Sequence, residues 1–337
     1  MAEAVRFAVV GTGAIAQLTH LPVLSKLKGA SLVALCDNDG AKAGALAARF
    51  EIPNTYTDLE ELLDSDEVDA VVVATPNHLH EPHVLSALRG KVHVMCERPL
   101  ALTARGIERI LAAATKVDRM VFVANNHRFR TDVQNLSRFL QGGELGALTG
   151  IRAGAYTMRR PDAGWRQRRA ESGGGAFLDQ GFPLLDLALW LAEYPAPVRV
   201  SASLRRTSRA AAAVEDGDGM HVTLECEGGL TFVFDVLWSY VGDEDRHWFE
   251  VLATRGSARL SPLRVVKEIN GRPVDVSPRG AAQRESAFLQ SYRAELTHFL
   301  ASITGEVPYE APEDQLVVQR VLEAAYKAAD EGREITF

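Results

Sequence analysis

Two glycines and an acidic residue near the start of the chain have the types and spacing of a dinucleotide-binding site. The segment GTGAIA occupies residues 11–16, directly after the apolar run VRFAVVG, and Asp37 ends the next apolar run. Glycines permit a tight turn and let the backbone approach a pyrophosphate at a helix N-terminus. An Asp at this distance accepts hydrogen bonds from the adenosine ribose and repels a 2′-phosphate, so the pattern predicts NAD(H) rather than NADP(H).

The alternative interpretation of this segment is an ordinary glycine turn. Its position between a strand and a helix, with an acid after the second strand, favours the cofactor site. Asn38 weakens the preference for NAD slightly, because an amide beside the ribose tolerates a 2′-phosphate better than a carboxylate does. The residues assigned to the cofactor here are Gly11, Thr12, Gly13, Ala14, Ile15, Asp37 and Asn38.

A second stretch that could do chemistry is CERPL at residues 96–100, where Arg98 stands between Glu97 and Pro99. It has the pattern of a strand end followed by a sharp stop at the proline. Arginine stays charged and binds planar anions through a rigid fork of donors. Arg98 can therefore hold a carboxylate, polarise a carbonyl or contact the cofactor, but it cannot carry a proton.

The elements that must position these residues alternate between strands and helices. Short, apolar, β-branched runs are separated by helical stretches and occupy residues 5–11, 31–37, 69–76, 91–99 and 120–126. Buried strands alternating with helices are typical of a parallel sheet that is covered on both faces. The pattern predicts an α/β dinucleotide-binding domain over residues 1–126.

Beyond this point the strands become longer and no longer alternate with helices. The stretch 219–239 contains CEGGLT, a hairpin-type turn between two alternating runs. We expect residues 127–337 to form an α+β domain with an open, mostly antiparallel sheet and one helix inserted at about 178–192. A last helix at 313–332 has an apolar stripe and could pack back on the first domain.

Four motifs occur in an order that resembles the glucose–fructose oxidoreductase, inositol dehydrogenase and rhizopine-catabolism (Gfo/Idh/MocA) family. They cover the first domain nearly end to end and reach into the second, and they read GTGAIA, ATPNHLHEPHVLSAL, GKVHVMCERPLA and GGGAFLDQGFPLLD. The resemblance implies a Rossmann domain followed by an α+β domain whose open sheet often forms oligomer contacts. It also implies NAD(P)-dependent hydride transfer on sugars, inositols and related compounds.

The resemblance assigns further cofactor contacts to the ends of the later strands. Thr75, Pro76 and Asn77 match the segment where the family passes the ribose and phosphates. The family's Glu-Lys-Pro motif matches residues 97–99. The other residues assigned to the cofactor in this way are His80, Glu97, Arg98 and Asn126.

Two positions depart from the family pattern. The family's lysine is Arg98 here, and its catalytic histidine, on a helix face shared with Asp179 and Asp186, is Pro183. A histidine there can take the proton of a hydroxyl as hydride leaves, whereas proline has no ionisable group. Proline fits the helix only if the helix begins near residue 181 or 182, where its missing N–H would have no partner.

Another group must then move the proton in an active enzyme. Asp179 is the first candidate, because its matched position faces the same pocket in the family, although a helix-capping role is an equally good interpretation. Tyr156 is a weaker candidate, since a tyrosine late in a strand is more often part of a core. The catalytic candidates are Arg98 and Asp179, and the substrate candidates are Arg98, Tyr156, Trp165, Arg166, Asp179 and Pro183.

The segment MRRPDAGWRQRRAE at 158–171 carries five arginines against two acids. The family's substrate loop lies here, and Trp165 and Arg166 would overhang the nicotinamide. The alternative is a solvated loop, which is what most charged runs are. The embedded tryptophan and a second arginine at position 98 favour an anionic substrate or the cofactor's own phosphates.

The bulk composition argues against several other classes. A net charge of −7 over 337 residues does not suit a general role on nucleic acids or membrane surfaces. The three cysteines and the histidines lack metal-ligand spacing, which predicts no metal and suits a reducing cytoplasm. We expect neither a signal peptide nor a membrane helix, and therefore a cytoplasmic protein.

Three functions stay open on the sequence. The first is an NAD-dependent oxidoreductase with a non-standard proton relay, acting on a sugar, polyol or sugar acid. The second is a catalytically silent NAD(H)-binding protein, a sensor or partner subunit, and the third is a lyase or epimerase that uses NAD transiently. We expect the first, because hydride transfer depends mainly on placing two carbons together and Asp179 remains. An uncovered sheet face predicts a homodimer or homotetramer.

Overall fold

The computed structural model describes residues 4–159, 164–206, 217–278 and 286–337. The chain divides into two compact units, Met1–Phe129 with Glu285–Leu316 and Arg130–Arg284 with Val317–Phe337. Each unit has its own sheet and its own buried apolar residues.

The strands are β1 (Val5–Val10), β2 (Ala30–Cys36), β3 (Asn54–Tyr56), β4 (Ala70–Val73), β5 (His93–Glu97), β6 (Val121–Ala124), β7 (Leu148–Thr157), β8 (Pro197–Arg205), β9 (Gly219–Cys226), β10 (Thr231–Trp238), β11 (Arg246–Ala253), β12 (Gly256–Arg259), β13 (Arg264–Ile269), β14 (Arg272–Asp275) and β15 (Ile335–Thr336). The helices are α1 (Leu21–Leu24), α2 (Gly40–Phe50), α3 (Leu59–Asp64), α4 (His80–Arg89), α5 (Ala104–Val117), α6 (Thr131–Gln141), α7 (Arg169–Ser172), α8 (Phe182–Leu191), α9 (Ala287–Ile303) and α10 (Asp314–Glu331). Two single π-helical turns, Ala16–His20 and Phe177–Gly181, lead directly into α1 and α8.

The first unit is built on a six-stranded parallel sheet with the order β3-β2-β1-β4-β5-β6. All four residues of β4 and the last four of β1 are buried, as expected for parallel strands that are covered on both faces. Strand order reverses between β1 and β4, and ligands of such sheets bind at the carboxyl ends beside this reversal. The predicted Rossmann fold is therefore confirmed.

Helix α9 completes the core of the first unit from a distant part of the sequence. Its Leu296, Phe299 and Leu300 are buried with the residues of β1, and the rings of Phe299 and Phe7 meet edge to face at 6.1 Å. The compact units therefore differ from a division of the chain at residue 126, because the segment around α9 packs with the first sheet.

Helix α10 was expected to return to the first domain, but most of it belongs to the second unit. Val318, Val321, Leu322 and Ala325 form its buried stripe, and they pack into the core of that unit. Only the residues up to Leu316 group with the first unit. The predicted stripe included Leu316 and Val317, which are only half-buried, and it omitted Val318. A stripe also does not specify which of two sheets it covers.

The second unit is built on a nine-stranded sheet with the order β14-β13-β12-β11-β7-β10-β9-β8-β15. Its neighbouring strands are antiparallel except for β7 and β10, which run parallel. This confirms the predicted open, mostly antiparallel sheet. One face packs against α8 and α10, whose apolar residues share the core with it. The other face carries an aromatic group of Tyr156, Tyr240 and Trp248, together with charged side chains such as Arg205 and Asp235.

Gly154 in β7 has no room for a side chain, so a substitution there tests the packing of the second sheet. A Cβ atom added there would lie 2.0 Å from the Trp248 ring and 2.4 Å from the carbonyl oxygen of Asp235. We expect Gly154→Ala to lower the unfolding temperature by about 2–10 °C, because overpacking costs about 1–3 kcal/mol. Thermal unfolding followed by circular dichroism measures this.

The matched control is Gly44→Ala in α2, where an added Cβ meets no atom within 4 Å. That substitution should leave the unfolding temperature unchanged or raise it, since alanine favours a helix over glycine by about 0.5–1 kcal/mol. If Gly154→Ala unfolds at the wild-type temperature, Trp248 does not lie over Gly154 as described.

Candidate active site

The turn after β1 has the backbone shape that the GTGAIA motif predicts. Gly11 has a φ of +91°, and its N–H donates to the carbonyl of Cys36 at 2.8 Å. A Cβ at this position would lie 2.7 Å from the carbonyl oxygen of Ala74, so a side chain has no room. The same bare backbone gives a pyrophosphate close access to the turn, which fits a dinucleotide.

Asp37 is the anchor of this turn. Its Oδ2 accepts hydrogen bonds from the backbone N–H of Thr12 at 2.7 Å and from the Thr12 hydroxyl at 2.6 Å. Its Oδ1 accepts one from the N–H of Asp39 at 3.0 Å. Burial raises the pKa of Asp37, but the bonds from Thr12, Asp39 and Lys42 outweigh it and leave the pKa below its ordinary value. Since a carboxylate oxygen accepts about two bonds, Oδ1 keeps capacity for a ribose hydroxyl.

Lys42 is a neighbour of Asp37 that the sequence analysis did not identify. It lies in the first turn of α2, and its Nζ is 3.2 Å from Oδ2 of Asp37. The N-cap of the same helix is Asp39, whose side chain accepts the N–H of Lys42. A cation beside Asp37 reduces the negative charge that a 2′-phosphate would meet. The sequence signal for this contact was the position of Lys42, five residues after Asp37 and on the helix that follows it.

His80 connects two of the predicted cofactor segments instead of presenting a nitrogen to a ligand. Its Nδ1 is 2.7 Å from the carbonyl oxygen of Pro99, and its Nε2 is 2.9 Å from that of Thr75. The ring is buried, and burial lowers its pKa more than these two bonds raise it. His80 therefore ties the turn after β4 to the turn after β5, and its contact with the cofactor stays a prediction.

Glu97 is a buried carboxylate directly before Arg98. Its Oε1 lies 2.8 Å from Nε2 of His20, a fully buried residue at the end of the first π-helical turn. Burial raises the pKa of Glu97, but His20, Arg98 and His80 together outweigh it and lower the pKa. Glu97 is thus held within the protein by His20, and Arg98 beside it is half-buried.

The remaining cofactor candidates of the first unit differ in exposure. Asn77 and Asn126 are buried, and Nδ2 of Asn126 donates to the hydroxyl of Ser291 in α9 at 3.0 Å. Ala14 and Asn38 are exposed, while Gly13 and Ile15 are half-buried. The first turn thus offers its outer residues to a ligand, whereas Asn126 is held by the protein.

Three of the predicted residues come together in the second unit. The guanidinium of Arg166 lies over the Trp165 ring, 4.4 Å from its centroid. Its Nε is 3.6 Å from Oδ1 of Asp179, which makes an ion pair but not a hydrogen bond. In this unit a stacked arginine therefore faces a carboxylate.

Asp179 does not cap a helix, so that alternative is wrong. It lies inside the π-helical turn Phe177–Gly181, whose N-cap is Ala176, and the N-cap of α8 is Gly181. Neither cap residue makes a side-chain capping bond. Asp179 is therefore the N-cap of neither helical segment, and its carboxylate faces Arg166.

Pro183 occupies the first turn of α8, which begins at Phe182. The helical backbone nevertheless runs without a break through the preceding π-helical turn, because Ala176, Gly181 and Phe182 all have right-handed helical φ/ψ. The expectation that the helix begins near residue 181 or 182 is therefore wrong, and Pro183 lacks an N–H at a position inside a helix. A proline ring also crowds the carbonyl four residues earlier, which belongs to Asp179. The wide turn before α8, in which the N–H of Phe182 donates to the carbonyl of Phe177 five residues back, relieves that crowding.

Tyr156 lies on the face of its strand that is turned away from α8, and its predicted contact with the substrate stays a prediction. Ala153 and Ala155 of β7 point into the core shared with α8, whereas Tyr156 packs on the opposite face against Trp248 and Tyr240. Side chains alternate along a strand, so it is the next residue that faces the helices. The alternation of side chains along β7 predicts this arrangement, but Tyr156 was chosen for its chemistry and Thr157 was not considered.

Thr157 and Gln180 were therefore not among the site residues predicted from the sequence. The Nε2 of Gln180, the residue after Asp179, donates to the Thr157 hydroxyl at 2.9 Å. This bond joins the end of β7 to the turn that carries the candidate carboxylate.

The arginine-rich segment is less cationic than its sequence suggests. Besides Arg166, Arg168 pairs with Glu171 at 2.6 Å and Arg169 with Asp330 at 3.6 Å. Arg160 and its neighbours to 163 lie outside the described residues. These ion pairs reduce the support for an anionic substrate at this segment.

Two further findings concern other kinds of site. In the part of the chain that the structure describes, no group of three or more His, Cys, Asp or Glu side chains could hold a metal ion. Within the same residues, no helix is both long and apolar enough to cross a bilayer.

Comparisons with known proteins agree with this geometry. Residues 5–125 match the oxidoreductase family with an NAD-binding Rossmann fold, and residues 133–259 match the GFO/IDH/MocA C-terminal domain. A D-glucoside 3-dehydrogenase of Escherichia coli K12 is 27% identical over 346 residues, which cover 98% of this chain and 97% of the relative.

Two solved structures are similar over nearly the whole chain. GenD2 from gentamicin A biosynthesis, in complex with NAD, has a TM-score of 0.86 and 27% identity and covers 100% of this chain and 97% of its own. An aldose–aldose oxidoreductase from Caulobacter crescentus, complexed with glycerol, has a TM-score of 0.85 and 27% identity, with coverage of 99% and 100%.

A Rossmann unit with this glycine turn, followed by an antiparallel-sheet unit, defines a two-domain oxidoreductase that binds NAD. The chain belongs to the Gfo/Idh/MocA family. The predicted family, enzyme class and cofactor are confirmed, and the roles of the individual site residues stay predictions.

The Asp37–Lys42 pair generates a prediction about the cofactor. In Asp37→Ala the ribose loses a charged acceptor, so the Kd for NAD should rise by about one to two orders of magnitude. Lys42, without its carboxylate partner, can then attract a 2′-phosphate, and binding of NADP should tighten. Isothermal titration with both dinucleotides measures the two changes.

Asp58→Ala is the matched control, since Asp58 caps α3 in the same unit through hydrogen bonds to the N–H groups of Glu60 and Glu61. It should leave both dinucleotide affinities unchanged. An unchanged ratio of NAD to NADP affinity in Asp37→Ala would show that Asp37 does not set the preference.

Proposed function

We propose that this protein oxidises a hydroxyl group of a sugar or polyol with NAD, and that Asp179 accepts the proton. The observation that carries the proposal is the group of Trp165, Arg166 and Asp179, which places an oriented carboxylate on the turn before α8. The substrate class is supported by the relatives whose names state it, a D-glucoside dehydrogenase and an aldose–aldose oxidoreductase.

The residues of the first unit fit the cofactor. The turn at Gly11 has no room for a Cβ, and Asp37 holds that turn through Thr12 while keeping acceptor capacity for a ribose. We assign the pyrophosphate to the turn 11–15 and the ribose to Asp37. When bound, NAD supplies the acceptor for the hydride of the alcohol carbon.

We assign Asp179 and Arg98 different roles in the oxidation of the hydroxyl group. An ionised carboxylate can take the proton of a hydroxyl as the carbon is oxidised, and Arg166 orients this one. Arg98 stays charged, so it can polarise the oxygen of the forming carbonyl but cannot relay its proton. Because the arginines near Asp179 are paired with acids, we favour a neutral sugar or polyol, and a sugar acid would have to rely on Arg98.

A second candidate is a silent NAD-binding protein, a sensor or partner subunit. It is favoured by the resemblance to the family motifs, which places Arg98 and Pro183 where the family has a lysine and a histidine. Under this proposal the first unit still binds NAD, but no sugar is oxidised. A lyase or epimerase has no such observation in its favour.

The proposal predicts a separation of binding from turnover. Asp179→Asn removes the proton acceptor but keeps the shape of the side chain, so kcat should fall by at least about 10²-fold. The Kd for NAD should stay unchanged, because the cofactor is assigned to the other unit. NADH formation with a panel of aldoses, glucosides and inositols measures turnover, and calorimetry measures binding.

Asp275→Asn is the control, since Asp275 is a half-exposed partner of Arg264 on the edge strand β14. It should leave turnover unchanged. A wild-type protein that oxidises no compound of the panel, while Arg98→Lys with Pro183→His oxidises one, would replace the proposal by the silent protein.

We also propose that the outer face of the second sheet binds a second copy of the chain, giving a homodimer or homotetramer. Support comes from its mixture of aromatic and charged side chains, with Trp248 and Tyr156 beside the ion pair of Arg205 and Asp235. Arg205 donates to both carboxylate oxygens, at 2.7 and 3.0 Å, so these charges are already paired within one copy. A second copy can therefore cover this face with little further loss of hydration from the paired charges of Arg205 and Asp235.

Light scattering at micromolar concentration should therefore give a mass of two or four chains. Leu252→Glu should lower this mass, because Leu252 is 39% exposed on the outer side of β11 and would place a charge in the interface. Val198→Glu is the control, an exposed valine on β8 at the register irregularity between Pro197 and Arg199, and it should leave the mass unchanged. A monomeric wild type would contradict the proposed assembly.

A further inference from the structure

The turn that carries Asp179 lacks the regular bonding of a helix. The N–H of Phe182 donates to a carbonyl five residues back, whereas the N–H of Asp179 donates to Gly175, four residues back, at 3.2 Å. Pro183 contributes no N–H at all. A wide turn of this kind depends on side chains to fix its position.

Two side-chain hydrogen bonds hold the turn on either side of Asp179. The N–H of Leu178 donates to the hydroxyl of Tyr326 in α10 at 3.2 Å. On the other side, Nε2 of Gln180 donates to the Thr157 hydroxyl at 2.9 Å. Both bonds lie within the second unit, so they act on the turn directly.

The direction of the Gln180 bond follows from the bonding of Thr157. The Thr157 hydroxyl donates its single proton to the carbonyl oxygen of Arg159 at 3.0 Å, so it can only accept from Gln180. The amide nitrogen of Gln180 must therefore point towards Thr157. Its Oε1 is left buried, with no hydrogen-bond partner among the residues that the structure describes.

A buried carbonyl without a partner destabilises a protein, and an apolar side chain of the same length would avoid that loss. Gln180 is thus a poor choice for stability alone. Groups that lower stability concentrate where function requires a particular geometry. The feature that Gln180 provides, and an apolar residue would not, is the bond to Thr157.

We propose that the Gln180–Thr157 hydrogen bond positions the turn so that the Asp179 carboxylate can accept the substrate proton. The inference rests on the proposed function, since it assigns positioning residues to the proposed proton acceptor. Gln180 and Thr157 act through Asp179 and do not themselves exchange the proton.

Gln180→Met and Thr157→Val each remove one partner of the bond. In both variants kcat for the oxidised sugar should fall by about 10- to 100-fold, as small misplacements of a reacting group do. KM and the Kd for NAD should stay within about twofold of wild type, because substrate and cofactor contacts are kept. Thr157→Ser, which keeps the hydroxyl, should retain the wild-type kcat.

The unfolding temperature of the variants distinguishes a positioning role of Gln180 and Thr157 from a purely structural one. Gln180→Met also removes the unpartnered carbonyl, so its unfolding temperature should equal or exceed that of wild type while kcat falls. Amide exchange of residues 177–181, measured by mass spectrometry, should become faster in both variants without any substrate present. Thr149→Val is the matched control, because Thr149 is on the same strand and donates to the carbonyl of Leu252 at 3.0 Å, far along β7 from the turn.

The outcomes distinguish the inference from the function on which it rests. An active wild type whose kcat is unaffected by Gln180→Met and Thr157→Val overturns the positioning role alone. A loss of kcat that follows a fall in unfolding temperature, without retention in Thr157→Ser, overturns it as well by showing a structural role. A wild type that oxidises no sugar overturns both proposals.

Discussion

A proline inside a continuous helical segment cannot donate the N–H that the helix uses there, and its ring crowds the carbonyl four residues before it. This chain meets that constraint twice. Pro22 follows the wide turn Ala16–His20, and Pro183 follows the wide turn Phe177–Gly181. In both cases the proline is the sixth residue after the start of the turn. One local rule thus shapes the segment that brings His20 to Glu97 in the first unit and the segment that carries Asp179 in the second.

The first unit adds a second constraint, which is the common direction of its strands. Parallel strands end at one edge, so the residues after β1, β2, β4 and β5 belong to the same edge although they are far apart in sequence. Thr12 and Asp37 join two of these ends, and His80 joins the other two through the carbonyls of Thr75 and Pro99. The buried polar residues of this edge therefore hold it in shape, and its outer backbone is left for a dinucleotide.

The parts that could be predicted from the sequence are those governed by local rules. The turn at Gly11 and the acid at Asp37 depend on a strand, a turn and a helix in succession, and the family motifs cover them. The place of α9 depends on which of two sheets its apolar face meets, and no local pattern specifies that. Tyr156 was chosen for its chemistry, although the alternation of β7 assigns the helix-facing position to Thr157. Lys42 was identified as a neighbour of Asp37 only by its distance from that residue.

By its resemblance to the family, the chain lacks the lysine and the histidine of the family motifs at positions 98 and 183. Arginine is permanently charged, so Arg98 can stabilise a developing negative charge but cannot take or return a proton as a lysine could. Proline has no ionisable group, so position 183 cannot take the proton either. The proposed function therefore needs another proton acceptor in the second unit, and Asp179 is a carboxylate four residues before Pro183, on the π-helical turn Phe177–Gly181.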